Sequence, residues 1–282
     1  MTKSRTKLLA DGLTYVILAL GAIIMVVPFL WMISESFRIP AQQFSRSLIP
    51  NPFTLQNYVD LFQDLPDKAF LYLTVNSFKL SILAVIGQIL TCAMAAFVFA
   101  VARFRGRDFL FALLLGTMMI PSQVSLIPNF IIFKILGLIG TQWPLILPSF
   151  MGGAFGTFLL RQYFLTIPRE LVDAARMDGA SFFNIFRKIY LPLARPAVAA
   201  LAIFVFKDAW NDLLHPLVYL PTDMHQTTLT VGLAFFQQQL VMGGKFTVLM
   251  AGAFLSILPL LLVFFVAQKQ FIEGIALTGM KR

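Results

Sequence analysis

Lys207, Asp208 and Asp212 are ionisable residues inside a stretch, Pro196–Leu220, that is otherwise dominated by apolar side chains. A charge held at bilayer depth is costly and marks a functional site by default. Asp208 and Asp212 share a helical face at i and i+4, and Asn211 stands four residues after Lys207. Trp210 adds an indole able to stack on another ring; Asn211 and Asp212 add groups able to hydrogen-bond. Two readings stay open: a Lys207–Asp208 or Lys207–Asn211 contact buried within a bundle, and a polar strip facing a translocation path. A second concentration of polar chemistry is Glu170–Pro192, ELVDAARMDGASFFNIFRKIYLP, the longest polar, helix-patterned run between two very apolar segments. Elsewhere the chain offers little. His215 and His225 are its only histidines and read as solvated or capped, not as ligands. Cys92 is the single cysteine, set in an apolar run as a small buried hydrophobe. No G-x-x-x-x-G-K-[ST] phosphate loop occurs; Gly244-Lys245 is followed by Phe246.

The elements that position these residues follow from composition. The chain is 59% hydrophobic and 12% charged, against about 25% charged in a soluble domain. Apolar runs alternate with short charged ones, the pattern of a polytopic membrane protein. The net charge of +9 reads as Lys and Arg held at one membrane face. With no basic block interleaved with aromatics, nucleic-acid binding is excluded.

The expected fold is all-α, a polytopic membrane protein of six transmembrane helices in one domain. The spans are Leu13–Ile33, Leu80–Ala102, Phe109–Phe133, Leu138–Leu160, Pro196–Leu220 and Phe246–Ala267. The first has 21 residues without charge. That is enough to cross roughly 30 Å of hydrocarbon and longer than a signal-peptide core of about 7–15 residues, so it reads as a retained helix. Ser34–Phe78 holds Pro40, Pro50, Pro52 and Pro66 with acids Asp60, Asp64 and Asp67, and allows only a short helix over Asn57–Phe62. Pro121 and Pro128 predict a kink or break in the third span, either for packing or to line a path. Gly152 and Gly156 form a small-xxx-small pair in the fourth. Met224–Lys245 reads as a polar connection.

Basic residues orient the bundle. With the N-terminus inside, fifteen of the 22 Lys and Arg fall on inside segments and five on outside loops, Arg38, Arg46, Lys68, Lys134 and Lys245. Both termini are then cytoplasmic, and so is the loop Arg161–Arg195.

That loop divides at Gly179, which suits a helix stop. Before it, Pro168 fits a first helical turn, Arg169 and Asp173 can pair across one turn, and Leu171, Ala174, Ala175 and Asp178 line one shallow face. After it, Ser181 is a plausible N-cap. Phe182, Ile185, Phe186 and Ile189 fall at i, i+3, i+4 and i+7, opposite Asn184, Arg187 and Lys188. Leu191-Pro192 ends this second helix. On pattern alone, a surface helix pair without a partner and a docking element remain equal readings.

This stretch closely resembles the signature loop of permease subunits of ATP-binding-cassette importers: Glu-Ala-Ala, three residues, Gly, nine residues, Ile, one residue, Leu-Pro. Asp173-Ala174-Ala175, Gly179, Ile189 and Leu191-Pro192 keep every spacing. The departure is Asp173 for Glu, which keeps the charge on a shorter arm. Arg161-Gln-Tyr-Phe164, Trp210-Asn211 and the tail Leu277-Thr-Gly-Met-Lys281 make the maltose-type carbohydrate importers the nearest likeness. The resemblance implies a permease of a bacterial cell (inner) membrane that moves a sugar by alternating access. It implies a second, related permease, two copies of a cytoplasmic ATPase that holds ATP and Mg, and an extracytoplasmic binding protein. This chain would bind no cofactor itself. Glu170, Asp173, Ala174, Ala175, Gly179, Ile189, Leu191 and Pro192 would couple the ATPase to the pore. A glycerophosphodiester permease shares the same loop. A secondary transporter or a channel is the other rival, which co-purification with an ATPase separates. A membrane-embedded enzyme would need converging acids, His or metal ligands, and only Lys207, Asp208 and Asp212, on one helix, could contribute.

Overall fold

The computed structural model describes residues 5–63, 69–220 and 225–279. Among them there is no β-strand, only an isolated bridge between Arg38 and Phe53. The fold is all-α and polytopic. Lys3, Asp64, Pro66, Asp67, Lys68, Met224, Met280, Lys281 and Arg282 lie outside the described residues.

The helices in chain order are α1 (Arg5–Ser36), α2 (Gln56–Gln63), α3 (Ala69–Val101), α4 (Arg107–Gly116), α5 (Ser122–Ile135), α6 (Trp143–Ile146), α7 (Ala154–Phe164), α8 (Glu170–Met177), α9 (Phe182–Ile185), α10 (Leu191–Leu193), α11 (Arg195–Trp210), α12 (Leu214–Tyr219), α13 (Leu229–Met242) and α14 (Phe246–Gly279). Among the described residues four helical stretches are long and apolar enough to cross a membrane: Asp11–Ser36, Ala69–Val101, Trp143–Phe164 and Phe246–Val266. The count reaches six if each of two bent pairs is one span.

The first bent pair is Arg107–Met119 with Ser122–Ile135, at 97°. Pro121 stands between them, without an N–H to continue the ladder and with its neighbour Ile120 driven to extended backbone. The second is Phe182–Leu193 with Arg195–Trp210, at 77°. Several sequence expectations change at this level. The stretch Pro196–Leu220 is not one helix: α11 stops at Trp210 and α12 begins at Leu214. Met224–Lys245 is not merely a connection, because its apolar residues outnumber the Gln237-Gln-Gln239 run and wind into α13. The small-residue pair also separates. Gly152 stands before α7 at φ +85, whereas Gly156 lies inside it.

By contacts the chain divides into two units, residues 1–70 with 233–258, and residues 71–232 with 259–282. In the first, residues 12–30 of α1 are exposed, as suits a surface facing lipid or another protein. Where α1 ends, a polar cluster closes. Glu35 and Arg38 are fully buried and paired at 2.9 Å. The Phe44 N–H donates to Glu35 Oε1 at 2.8 Å, and Arg38 also donates to the Ser47 carbonyl. Asn57 donates to the carbonyls of Ser36 and Arg38 and accepts from Thr247 Oγ1. Every member is satisfied, so the proline-rich segment after α1 is held without a sheet or a long helix. Burial raises the Tyr58 phenol above its ordinary pKa, against a bond to Ser36, so it stays protonated.

In the second unit, glycines let α3 approach α7 and the segment before it. A Cβ at Gly87 would lie 2.9 Å from the Ser149 backbone carbon, and one at Gly156 would lie 2.8 Å from Cys92 Sγ. On the same helix α3, Asn76 donates to the carbonyls of His225 and Thr227, and Ser77 Oγ accepts from the Leu229 N–H. The start of α13 is thereby fixed to α3.

Removing one partner of a buried ion pair leaves the other charge uncompensated. Glu35→Ala should therefore lower stability by about 3–5 kcal/mol, read as a fall in thermal unfolding temperature in detergent. Gly87→Val should cost about 1–3 kcal/mol by overpacking against backbone that cannot yield, read in the same assay.

Candidate functional site

The segment 161–195 leaves α7 and returns into α11. Its inner face is apolar and fixed. Val172, Ile185, Tyr190 and Ala194 are buried in one core with Leu160, Phe164, Phe97 and Ala197. Phe97, on α3, is the centre of this contact. Its ring lies 4.5 Å from that of Phe182, 5.0 Å from Tyr190, 5.2 Å from Phe186 and 6.4 Å from Phe164. Such aromatic pairs add about 0.5–1.5 kcal/mol each beyond area burial.

Gly179 ends α8 with φ +77. The Ala180 N–H reaches back to the Ala175 carbonyl and the Gly179 N–H to Arg176, so two open carbonyls are closed at once. Ser181 Oγ then accepts from the Asn184 N–H at 3.3 Å and caps α9. Beyond α9 the backbone widens into a π-helical turn over Phe186–Tyr190, with the Leu191 N–H bonded five residues back to Phe186. The widening has a cause. In a regular helix the Pro192 ring would collide with the Lys188 carbonyl, and a π turn moves that carbonyl away. Leu191-Pro192 therefore does not end the helix. The chain stays helical to Leu193 and bends at Ala194, just before Pro196.

The outer face of α8 is free. Glu170, Leu171, Asp173, Ala174 and Met177 are exposed. Asp173 is in no ion pair among the described residues, so the expected bridge to Arg169 is not made. The two alanines divide. Ala174 looks outward, and Ala175 is half-buried against the core together with Ile189 and Leu191. Ala175 belongs to the Val172 side, three residues on, and not to the shallow outer face. Sequence reasoning missed Val172, Tyr190 and Phe97; the apolar spacing Val172–Ala175 was the available signal for the first. Pro192 is exposed.

The residues gathered in Pro196–Leu220 are separated by the helix break. Trp210 is 3% exposed, stacked on Phe206 at 5.6 Å and set edge-on to Phe78 at 4.7 Å. Buried against two rings, it is a packing residue and not a free stacking platform. Lys207 and Asp208 are exposed and 3.4 Å apart, which removes the buried pairing as well. Asn211 is exposed at the end of α11, its N–H bonded to the Lys207 carbonyl. Asp212 no longer shares a face with Asp208. Its carboxylate accepts from the His215 N–H at 3.2 Å and lies 2.9 Å from His215 Nδ1, where it starts α12.

At Gly179 an added Cβ would meet nothing within 4 Å. The cost of a side chain there is backbone strain alone. Gly179→Ala should destabilise by about 1–2 kcal/mol, while Gly179→Asn should cost less because Asn tolerates positive φ. Thermal unfolding of the two variants checks the ranking.

Residues 88–276 match the family described as "Binding-protein-dependent transport system inner membrane component". The chain is 36% identical to the arabinooligosaccharides transport system permease protein AraQ of Halalkalibacterium halodurans, over 99% of each chain. It is 36% identical to the galactooligosaccharides transport system permease protein GanQ of Bacillus subtilis, over 95% of this chain and 94% of that one. It also resembles a chain in the crystal structure of a bacterial ABC transporter involved in import of the acidic polysaccharide alginate. There the TM-score is 0.81 and the identity 26%, covering 95% of this chain and 99% of that chain. With the helical signature loop in place and likeness over nearly its whole length, the chain belongs to the inner-membrane permease components of binding-protein-dependent transport systems.

Proposed function

We propose that this chain is a permease that moves a sugar or oligosaccharide inward across the cell membrane by alternating access, driven by ATP hydrolysed on another chain. Its partners in this reading are a second, related permease, a pair of cytoplasmic ATP-binding subunits and an extracytoplasmic binding protein. The oligosaccharide names of AraQ and GanQ support the cargo class.

One observation carries the coupling role. The outer face of α8 presents Glu170, Asp173 and Ala174 with no protein against them, while its inner face is locked to α3 and α7 through Val172 and the neighbouring core. A motor pressing on that face moves a body anchored to α3 and α7, not a loose loop. Gly179, Ile189, Leu191 and Pro192 shape the anchor, and Ala175 allows the close approach of α8 to it. The excess of Lys and Arg on 103–107 and 161–195 supports placing this face, and both termini, in the cytoplasm. Lys207, Asp208 and Asn211 are exposed beside the helix break and form the candidate substrate path, with Asp212 holding the break in shape.

Asp173→Lys should leave membrane insertion intact and lower sugar-stimulated ATP hydrolysis by about tenfold or more, since it sets a like charge where a complementary one is expected. Co-purification of the ATP-binding subunit with unaltered stimulated hydrolysis would overturn the docking role. Uptake of labelled oligosaccharide into cells carrying the whole complex tests the cargo. Uptake of a glycerophosphodiester instead would overturn the sugar assignment.

A further inference from the structure

Two neighbouring cavities open beside α8. One, of about 380 Å³, is lined by Arg103, Arg169 and Arg176, with Asp173 as its one acid and Tyr190 in its wall. The other, of about 460 Å³, shares Arg103 and Arg169 and adds Arg107 and Asp108. Asp108 is already taken by Arg107 at 2.9 Å. Among the described residues none of Arg103, Arg169 and Arg176 is ion-paired. Three arginines line one space against a single carboxylate, and an anion bound there would relieve their repulsion. The planar donor fork of arginine suits a phosphate, which can accept from two or three forks at once.

A second feature bears on what carries the phosphate. The larger cavity is also lined by Phe104 and Phe109. From there Phe109, Leu110 and Leu113 lie exposed along α4, 67%, 48% and 54% accessible. An apolar track starting at a basic cavity matches a molecule with a phosphate head and a hydrocarbon tail. A soluble phosphate would leave that track unused. Basic pockets among helices at the cytoplasmic face suit anionic lipid headgroups.

We propose that Arg103 and Arg169, with Arg176 beside them, hold the phosphate of an anionic phospholipid whose acyl chains run along Phe109, Leu110 and Leu113. The site takes in Val172, Asp173 and Arg176 of α8 itself, but the lipid assignment does not depend on the docking reading. A lipid there would touch both the turn after α3 and the first residue before α8, so its presence would stiffen the joint between them.

The test uses the whole transporter complex in nanodiscs of phosphatidylglycerol or phosphatidylcholine, with retained lipid counted by native mass spectrometry. The doubly substituted Arg103→Gln, Arg169→Gln complex should retain at least about fivefold less phosphatidylglycerol, the effect of roughly one basic side chain at an anionic surface or more. The matching lysine pair should restore most of it. Arg46→Gln, at an exposed position outside both cavities, should change nothing. Unchanged phosphatidylglycerol retention in the glutamine pair, with the complex still assembled, would overturn the proposal. So would inorganic phosphate in phosphatidylcholine discs raising the unfolding temperature as much as phosphatidylglycerol does, because the ligand would then be a soluble anion. Loss of the ATP-binding subunit with lipid retention unaltered would mark the arginines as a protein contact and overturn it equally.

Discussion

The aromatic contact centred on Phe97 is what the rest of the site depends on. One ring on α3 meets rings from α7, from the start of α9 and from the π turn. The segment 161–195 would otherwise be a polar excursion between two spans, costly in chain entropy and free to move. Packed through Val172 and Ile185 into the core that holds Phe97, it becomes part of the helical body, and only its far side is left for a partner. Charge then sits where packing does not need it. Glu170 and Asp173 are outside because the inner face is already filled by apolar groups.

The same separation of packing from chemistry governs the interruptions of the helices. At Ile120-Pro121 a missing donor splits a span by 97°. Between Trp210 and Leu214 a helix stops with its last indole packed against Phe78 and Phe206, and Asp212 starts the next one. Each break leaves backbone groups that a membrane interior does not satisfy, so each is tolerated only where protein or water does so. That is also why the exposed Lys207, Asp208 and Asn211 collect beside one.

Much of this was legible in the residues. Long apolar runs announce the bundle because the bilayer demands them, and Gly179 followed by Ser181 announces two short helices because stop and cap chemistry is local. The misreadings have a common origin. Trp210 looked available because its two ring neighbours come from packing, one of them from a distant helix. Ala175 looked outward because α8 has only eight residues, too few for spacing to say which stripe meets the core. Asp212 seemed to share a face with Asp208 because nothing in Asn211–Leu213 declares a break. The Gln237–Gln239 run hid α13, whose first residue is held by Ser77 on α3.

The π turn at Phe186–Tyr190 has a consequence of phase. It holds one residue more than an α-turn would, and each residue of an α-helix advances the side chains by about 100°. The stripe that starts on Ile185 is therefore out of register with the stripe that continues on Ala194 and Ala197. A strictly α-helical path would continue the first stripe on Leu193 and Pro196 and turn Tyr190, Ala194 and Ala197 away from the core. The extra residue resets the azimuth, and one apolar surface passes continuously round the 77° corner into α11. Leu191-Pro192 thus acts less as punctuation than as a gear, setting which side of the span faces inward.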